Sequence, residues 1–340
     1  MNETLILTAL VVGAALAFDF VNGFHDAANS IATIVATKIL KPKHAVLWAS
    51  FFNFVALFLF GTGVATTVGS GMIALDTVTP AVILCGLIGA IAWGLITWWM
   101  AIPTSSSHAL LGGYAGAAMF NAAIRHGVAA AGQPIVTSGW IRTLSFIVIA
   151  PLIGLVIAHV LMRLTIIIQE RFPRDASNKL FGRMQLFSSA FLSLMHGSND
   201  AQKTAGIIAG VLVAAGYTKH FTLPMWVLWA SYATMGLGTL AGGWRIVKTL
   251  GKDLTRLQPN GGFCAETAAG LSVLFATLLH LPVSTTHATT GAILGTGAAR
   301  SMRSVRWSLA GNILWAWVFT IPAAAAIGGI AMGLAIMCGI

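Results

Sequence analysis

Charged side chains are scarce in this sequence, and their scarcity excludes a soluble protein. Only 8% of the 340 residues are Asp, Glu, Lys or Arg, whereas soluble domains carry about 25%. The mean hydropathy is +0.86, and apolar runs of about 20 residues, the length that spans a bilayer, recur along the chain. The longest polar stretch, 170–179, is too short for a separate soluble domain. We therefore interpret the chain as a multi-pass membrane protein.

Cysteine is also scarce, and no basic segment or small-residue cleavage site surrounds the first apolar stretch. The three cysteines have neither disulfide nor metal spacing, and the amino-terminal stretch is predicted to be a membrane segment rather than a removable signal. The net charge of +10 comes from basic residues at the ends of apolar runs. That pattern indicates membrane topology rather than a nucleic-acid partner. We expect no resident cofactor.

Ten apolar runs form two series of five, and all are predicted to be helices because backbone groups in a bilayer need internal partners. The runs lie at 4–38, 45–68, 80–101, 107–123 and 143–168, then at 184–218, 224–243, 258–280, 287–299 and 308–338. If each run crosses once, fourteen of the 19 basic residues lie on one side and three on the other. This bias predicts that both termini lie outside, and we expect the membrane to be the plasma membrane.

Two motifs recur in the same order in both series. N-G-F-H-D-A-A-N-S-I-A (22–32) aligns with H-G-S-N-D-A-Q-K-T-A-G (196–206), and P-T-S-S-S-H (103–108) aligns with P-V-S-T-T-H (282–287). This internal duplication predicts a first repeat at 1–168, a cytoplasmic connection at 169–183 and a second repeat at 184–340. Because five crossings is an odd number, the second repeat must be inverted, as in secondary transporters.

The aligned acids Asp26 and Asp200 lie inside apolar runs, where a carboxylate costs at least about 2.5 kcal/mol. The polar, glycine-containing middle of the first run predicts a helix that breaks near 22–26, with the same pattern around 196–200. We expect these regions to hold a coupling cation or proton. The residues predicted for this role are Asp19, Asn22, His25, Asp26, Asn199, Asp200 and Glu266. No His–Asp spacing within either half predicts a fixed metal site.

Each half also has a proline turn with three successive hydroxyl residues, followed by a glycine-rich helix. Hydroxyl groups and helix amino-terminal amides suit a tetrahedral oxyanion such as phosphate or sulfate. The predicted anion-binding residues are Ser105, Ser106, Ser107, Ser284, Thr285, Thr286, Asn29, Gln202, Lys203 and Thr204. Acids and an anion can share a low-dielectric site only if a cation or proton lies between them, so the sequence predicts cation-coupled symport.

Other functions use the same residue types. An intramembrane phosphatase would need a water path and usually a metal, and an anion channel would favour a hydroxyl or basic lining over acids. A proton donated by phosphate to a carboxylate favours phosphate over sulfate, which stays as the alternative. G-x-x-x-G pairs at 112/116, 206/210 and 291/295 predict close helix packing, and a homodimer stays open.

Four motifs together resemble those of the inorganic phosphate transporter (PiT) family over nearly the whole chain. They are N-G-x-H-D-A-A-N, H-G-S-N-D-A-Q-K, the P-[TV]-S-[ST]-[ST]-H turns and G-K-D-L-T-R-L-Q-P-N-G-G-F-C-A-E. The resemblance implies an all-α polytopic phosphate symporter, not an enzyme. It also implies two inverted-topology repeats whose discontinuous helices meet Ser/Thr-bearing helical hairpins at mid-membrane. His25 and the Gln202-Lys203 pair are similar to the bacterial low-affinity branch, which implies proton-driven uptake, often of metal–phosphate, with sodium coupling as the alternative.

Overall fold

The computed structural model describes residues 3–339, which form twelve α-helices and their connections. In chain order they are α1 (Glu3–Ala36), α2 (Pro42–Val55), α3 (Gly63–Ser70), α4 (Pro80–Trp99), α5 (Ser106–His126), α6 (Thr137–Gln169), α7 (Arg174–Ala214), α8 (Met225–Ala241), α9 (Trp244–Lys248), α10 (Pro259–Leu278), α11 (Thr285–Arg300) and α12 (Trp307–Met337). Proline opens α2, α4 and α10, where its fixed φ suits a helix start and its missing N–H is not needed. A π-helix follows α9 at Thr249–Asp253.

The chain is an all-helical, multi-pass membrane protein. Among the described residues, five helices are long and apolar enough to cross a membrane: α1, α4, α6, α10 and α12. The bent pair of α2 with its 3₁₀ extension and α3 makes a sixth candidate. Helices α5 and α11 are buried over most of their length, so neighbouring protein rather than lipid surrounds their polar side chains. The ten crossings expected from the apolar runs remain a prediction.

Helices α1 and α7 run without interruption through both acidic motifs, so the predicted breaks near 22–26 and 196–200 are wrong. The motif glycines serve close packing instead. A Cβ added at Gly23 would lie 3.0 Å from the Cα of Gly238 in α8, and one at Gly197 would lie 2.7 Å from the Cα of Asn53 in α2. Most polar side chains of these motifs, including Asp26, Asn29 and Asn199, find partners on other helices, so the helix backbone does not have to open. The sharp bend, of 85°, lies between α2 and α3 instead.

Helices α4–α5 and α10–α11 form two hairpins whose tips carry the hydroxyl residues. The hydroxyl oxygen of Ser105 accepts a hydrogen bond from the backbone N–H of His108 at 3.2 Å, and that of Ser284 accepts one from His287 at 3.1 Å. Both serines are therefore helix N-caps. We refer below to α4–α5 as hairpin 1 and to α10–α11 as hairpin 2.

Each hairpin packs against the last long helix of the other half. Helix α12 packs along hairpin 1, and α6 packs along hairpin 2. Gly112 lies against Ile321 of α12, and Gly291 lies against Pro151 of α6. These two glycine positions thus serve packing within the chain.

Helices α1 and α7 cross in antiparallel directions at the centre of the molecule. Thr37 near the end of α1 donates to Gln185 near the start of α7 at 2.8 Å, and Ser30 lies 3.5 Å from His196 further along α7. Residues earlier in α1 therefore meet residues later in α7. This crossing brings the acidic motifs of the two halves together beside both hairpin tips.

Candidate functional site

Asp26 connects α1 to both hairpins. Its Oδ2 accepts a hydrogen bond from Ser106 Oγ of hairpin 1 at 2.7 Å, and its Oδ1 accepts one from Thr286 Oγ1 of hairpin 2 at 3.4 Å. His25 Nδ1 lies 2.8 Å from Oδ1, and His25 Nε2 lies 3.3 Å from the hydroxyl of Thr97. The carboxylate is thus surrounded by hydroxyl groups and one imidazole.

Asp200 occupies the equivalent place on α7, but its partners include a full positive charge. Lys203 Nζ lies 2.5 Å from Asp200 Oδ1, and it also donates to Ser107 Oγ of hairpin 1 and, at 2.7 Å, to the carbonyl oxygen of Val283. Thr285 of hairpin 2 donates to Asp200 Oδ2 at 3.2 Å. The ammonium group thus ties α7 to the tips of both hairpins.

Asn29 takes the place on α1 that Lys203 takes on α7. Its Nδ2 donates to Thr285 Oγ1 at 3.2 Å and to Thr286 Oγ1 at 2.9 Å. The residues that these bonds join, which we call the central cluster, are Asp26, Asn29, Ser106, Ser107, Asp200, Lys203, Thr285 and Thr286. None of them is more than 8% exposed. The fold therefore joins predicted anion-binding and cation-binding residues from both halves.

His196 adds an imidazole to the two acids of the central cluster. Ligand atoms of Asp26, His196 and Asp200 lie within 4.8 Å of one another, close enough to share one cation. The His196 Nε2 atom lies 3.1 Å from Asp200 Oδ2. The sequence did not predict this metal site, because the spacing of possible ligands was considered only within each half. This set combines Asp26 of α1 with His196 and Asp200 of α7. Two carboxylates and an imidazole suit a divalent transition metal.

The space beside the central cluster is small. The cavity between α1 and hairpin 1, lined by Asn22, His25, Ser105 and Ser106 among others, measures about 10 Å³. A water molecule needs roughly 10–15 Å³ of such volume. The hydroxyl groups of the hairpins bind acids of the chain in this conformation, so an oxyanion would fit only after the hairpins move away from α1 and α7.

Several predicted site residues have other partners. Asn199 Nδ2 donates to Thr277 Oγ1 and to the carbonyl oxygen of Leu281, both at 3.0 Å, so it fixes the tip of hairpin 2. Gln202 Nε2 donates to the carbonyl oxygen of Gly61 at 2.7 Å, and Gln202 Oε1 accepts from the N–H of Ala65 at 3.2 Å. Gln202 therefore supports α3 rather than facing the hydroxyl turns.

Glu266 lies in a separate polar cluster. Its carboxylate accepts hydrogen bonds from Thr33 Oγ1 at 2.6 Å, Gln185 Nε2 at 2.9 Å and Ser188 Oγ at 2.5 Å. Thr33 lies two helical turns beyond Asp26, or about 10 Å along α1. The structure therefore separates Glu266 from the two aspartates with which the sequence grouped it.

Sequence analysis missed the partners of Glu266 and did not include His196, which lies beside the acids and could carry protons, among the predicted site residues. A signal for them exists, because polar residues recur along α7 at helical spacing. They are Gln185, Ser188, Ser189, Ser193, His196, Asp200 and Lys203. Such a stripe on a long helix predicts one polar face that meets other polar groups.

Asp19, Asn22 and Thr204 form a third group, near the crossing of α1 and α7 but on the amino-terminal side of Asp26. Asp19 is 0% exposed and lies beside Asn22 and Thr204. Asp19 is not part of the set Asp26, His196 and Asp200, whose ligand atoms lie close enough to share one cation. Thr204 therefore lies next to an acid rather than next to the hydroxyl turns.

The connecting turn of each hairpin lines a larger cavity. One, of about 690 Å³, is lined by residues 100–103 of hairpin 1 with Arg306, which precedes α12. The other, of about 550 Å³, is lined by residues 279–281 between α10 and α11 with Arg142 of α6. Both cavities thus bring a hairpin turn and an arginine together with uncharged polar residues, and the first cavity is also lined by Asp253.

Comparisons with known proteins agree on one family. The model of the Phosphate transporter family matches residues 22–328. The chain is 49% identical over 334 residues to a "Probable low-affinity inorganic phosphate transporter" of Rhizobium meliloti (strain 1021), with 97% of each chain covered. It is 43% identical over 335 residues to a protein of the same description from Bacillus subtilis (strain 168), with 97% of this chain and 98% of that one covered.

A solved structure titled "The sodium-dependent phosphate transporter" has a similar fold. It matches with a TM-score of 0.84 at 23% sequence identity, covering 98% of this chain and 99% of the other. At this level of identity the likeness concerns the fold alone.

Proposed function

Because the chain belongs to the phosphate transporter family, we propose that it is a secondary active symporter that carries inorganic phosphate together with a positively charged ion by alternating access. The observation that carries this proposal is the central cluster, in which hydroxyl donors and two carboxylates from both halves meet in one buried place. Hydroxyl groups favour a bound anion, whereas carboxylates repel it. The two kinds of group can share one binding site only if a positive charge accompanies the anion. Relatives described as transporters also argue against a phosphatase.

Phosphate is proposed to replace the carboxylates as the partner of the hairpin hydroxyls. Ser106, Ser107, Thr285 and Thr286 all point into the central cluster, and Asn29 and Lys203 supply further N–H donors. Ser105 and Ser284 contribute as N-caps that hold the tips rather than as direct ligands. The relatives' description favours phosphate over sulfate.

Inverted repeats are proposed from three pairs of matching features. Helices α1 and α7 are antiparallel at their crossing. Each hairpin packs against the last helix of the other half. The isolated β-bridge Ile73–Ile135 precedes α6 just as the bridge Thr255–Val305 precedes α12. Two halves inserted in opposite directions would carry the two arginine-lined cavities to opposite sides of the membrane, as alternating access needs.

The coupling ion is proposed to be a proton, held at Asp26 and Asp200 with help from His25 or His196. Glu266 is proposed as a further coupling residue on the path to one side of the membrane, since Thr33 and Gln185 connect it to both α1 and α7. Sodium is the competing ion, because the solved relative is named as sodium-dependent. The Asp26–His196–Asp200 set supports phosphate carried as a metal complex.

Uptake by purified protein in proteoliposomes tests the function directly. We expect an inward proton gradient to drive accumulation of labelled phosphate, with no accumulation under a sodium gradient at equal pH on both sides. Excess sulfate should not compete, and an added divalent transition metal such as Zn²⁺ should raise uptake if a metal complex is the substrate. Phosphate movement that needs neither gradient and never exceeds equilibrium would identify an uncoupled pathway and contradict the proposal.

A further inference from the structure

Asp19 differs from the other buried acids of the membrane helices. Asp26, Asp200 and Glu266 each accept hydrogen bonds from side chains. Both carboxylate oxygens of Asp19 lack a hydrogen-bond partner among the described residues, and the side chain is fully buried. Neutral neighbours such as the Thr204 hydroxyl and the Asn22 amide can turn toward this carboxylate, but they do not cancel its charge, which in such a place needs a proton or a cation.

The atoms that surround Asp19 are also without partners. Asn22 Oδ1 and Thr204 Oγ1 are buried and have no hydrogen bond within residues 3–339. Both residues lie beside Asp19. Asp19, Asn22 and Thr204 are therefore neighbours where α1 and α7 face each other, and each has a buried side-chain oxygen without a partner. Carboxylate, amide and hydroxyl oxygens are the ligands that hard cations prefer.

The neighbouring ammonium group cannot fill this role. Lys203 lies close enough to act on the charge of Asp19, but its three N–H donors are already directed at Ser107, Asp200 and the carbonyl oxygen of Val283. An ammonium group has no fourth donor. A positive charge for Asp19 must therefore come from another source.

Within the duplicated motifs, the acid of this group occurs in the first half only. The residue that aligns with Asp19 in the second half is Ser193, which is neutral and donates to the carbonyl oxygen of Ser189 in its own helix at 2.8 Å. Asp19 is thus an addition to the repeated motif. It is two helical turns from Asp26, about 10 Å along α1, so the two acids do not form one site.

We propose that Asp19, Asn22 and Thr204 form a second site for one transported positive charge, a proton or an alkali-metal ion, separate from the central cluster. The titratable groups that act on it are Asp200 and Lys203 of α7 and Tyr232 of α8. What the bound charge drives rests on the proposed symport, but the existence of the site does not. Each phosphate would then move with one more positive charge than the central cluster alone requires.

Binding to the purified protein, measured without phosphate and without transport, tests the site itself. Thermal unfolding of the wild type is followed against NaCl balanced by choline chloride, and separately against pH. We expect one of these titrations to stabilise the wild type and Asp26→Asn, with the stabilisation lost in Asp19→Asn. A sodium response identifies the alkali-metal ion, and a pH response alone identifies the proton. If Asp19→Asn responds to both as the wild type does, ordered water satisfies these atoms and the proposal is wrong.

Coupling stoichiometry provides the second measurement. In proteoliposomes at a set membrane potential, the potential at which net phosphate flux reverses gives the charge moved per phosphate. Asp19→Asn should move one positive charge fewer while phosphate exchange across the membrane continues; an unchanged reversal potential would count against the site. Should Asp19→Asn fail to fold, Thr204→Val replaces it, with the ion titration shifted by about fivefold for one lost oxygen ligand. An unshifted Thr204→Val titration would then overturn the proposal.

Discussion

The two halves of the molecule build the same contacts from different charges. Asp26 accepts from Ser106 as Asp200 accepts from Thr285, and Asn29 donates to Thr286 as Lys203 donates to Ser107. These residues occupy equivalent positions of the duplicated motifs. At one of them, however, the first half has a neutral amide where the second half has an ammonium group.

This difference shows that the second half carries its own counterion, Lys203. Lys203 compensates Asp200 permanently, because it is part of the same helix turn. The first half has no permanently charged side chain in this role, since the partner of Asp26 is the imidazole of His25, and it has the additional acid Asp19. The negative charge left to be compensated therefore lies with the first half, although the hydrogen-bonding scaffold is shared.

Removal of either central acid should have the largest effect and shows whether the halves are functionally equal. We expect Asp26→Asn and Asp200→Asn each to abolish phosphate accumulation in proteoliposomes, because each removes a negative charge that holds the coupling ion. Asp76→Asn, at an exposed acid in a short 3₁₀ helix, is the matched control and should accumulate phosphate normally. Normal accumulation by both central variants would contradict the site.

Removal of the built-in counterion should separate the halves. Lys203→Met leaves the buried Asp200 without its ammonium partner, with only His196 and Thr285 beside it, which should lower the free energy of unfolding by about 3–5 kcal/mol. The double variant Asp200→Asn/Lys203→Met should recover most of that loss, since no lone charge remains. Denaturant titration in detergent measures both. A double variant as unstable as Lys203→Met would show that Lys203 acts through Ser107 and Val283 instead.

Crowding the hairpin contacts should affect both halves alike, because the scaffold is shared. A Cβ at Gly112 would lie 2.6 Å from the carbonyl oxygen of Ile321, and one at Gly291 would meet the backbone of Pro151. We expect Gly112→Ala and Gly291→Ala each to cost about 1–3 kcal/mol in unfolding free energy. Gly13→Ala, where the added Cβ would have no neighbour within 4 Å, should not destabilise. Unequal losses of unfolding free energy in the two variants would show that the two hairpins are not packed alike.

Loss of one hydroxyl at each hairpin tip should have the smallest effect. Ser106→Ala and Thr285→Ala each remove a single donor, worth about 1 kcal/mol, so phosphate affinity should fall roughly fivefold with little change in ion dependence. Phosphate binding to detergent-purified protein gives the affinity. Ser145→Ala, whose exposed hydroxyl bonds only to its own helix, is the control. A change in ion dependence without a change in affinity would reverse the roles assigned to hydroxyls and acids.

The sequence predicted the class of fold and much of the central cluster. Hydropathy alone gave an all-helical membrane chain, since lipid leaves few other solutions to the backbone. The repeat paired Asp26 with Asp200, and the hydroxyl turns identified Ser106, Ser107, Thr285 and Thr286. These predictions came from local chemistry that does not depend on which helices become neighbours.

The wrong prediction of broken helices has a physical cause. A polar stretch with glycine inside an apolar run indicates a break when the backbone must supply the polar contacts. Here, side chains supply them, and Gly23 and Gly197 let neighbouring helices approach. Whether glycine opens a helix or permits contact depends on what lies beside it, which one sequence does not state.

The sequence by itself determined that this chain resides in a membrane, repeats its motifs and carries acids and hydroxyls that suit an ion and an oxyanion. Only the tertiary structure decided which acids act together. The antiparallel crossing of α1 and α7 joined Asp26, His196 and Asp200, while it left Glu266 and Asp19 in separate groups. The reason is that a charge in a low-dielectric interior acts over a few ångströms, and such distances between residues far apart in the chain are fixed only by packing.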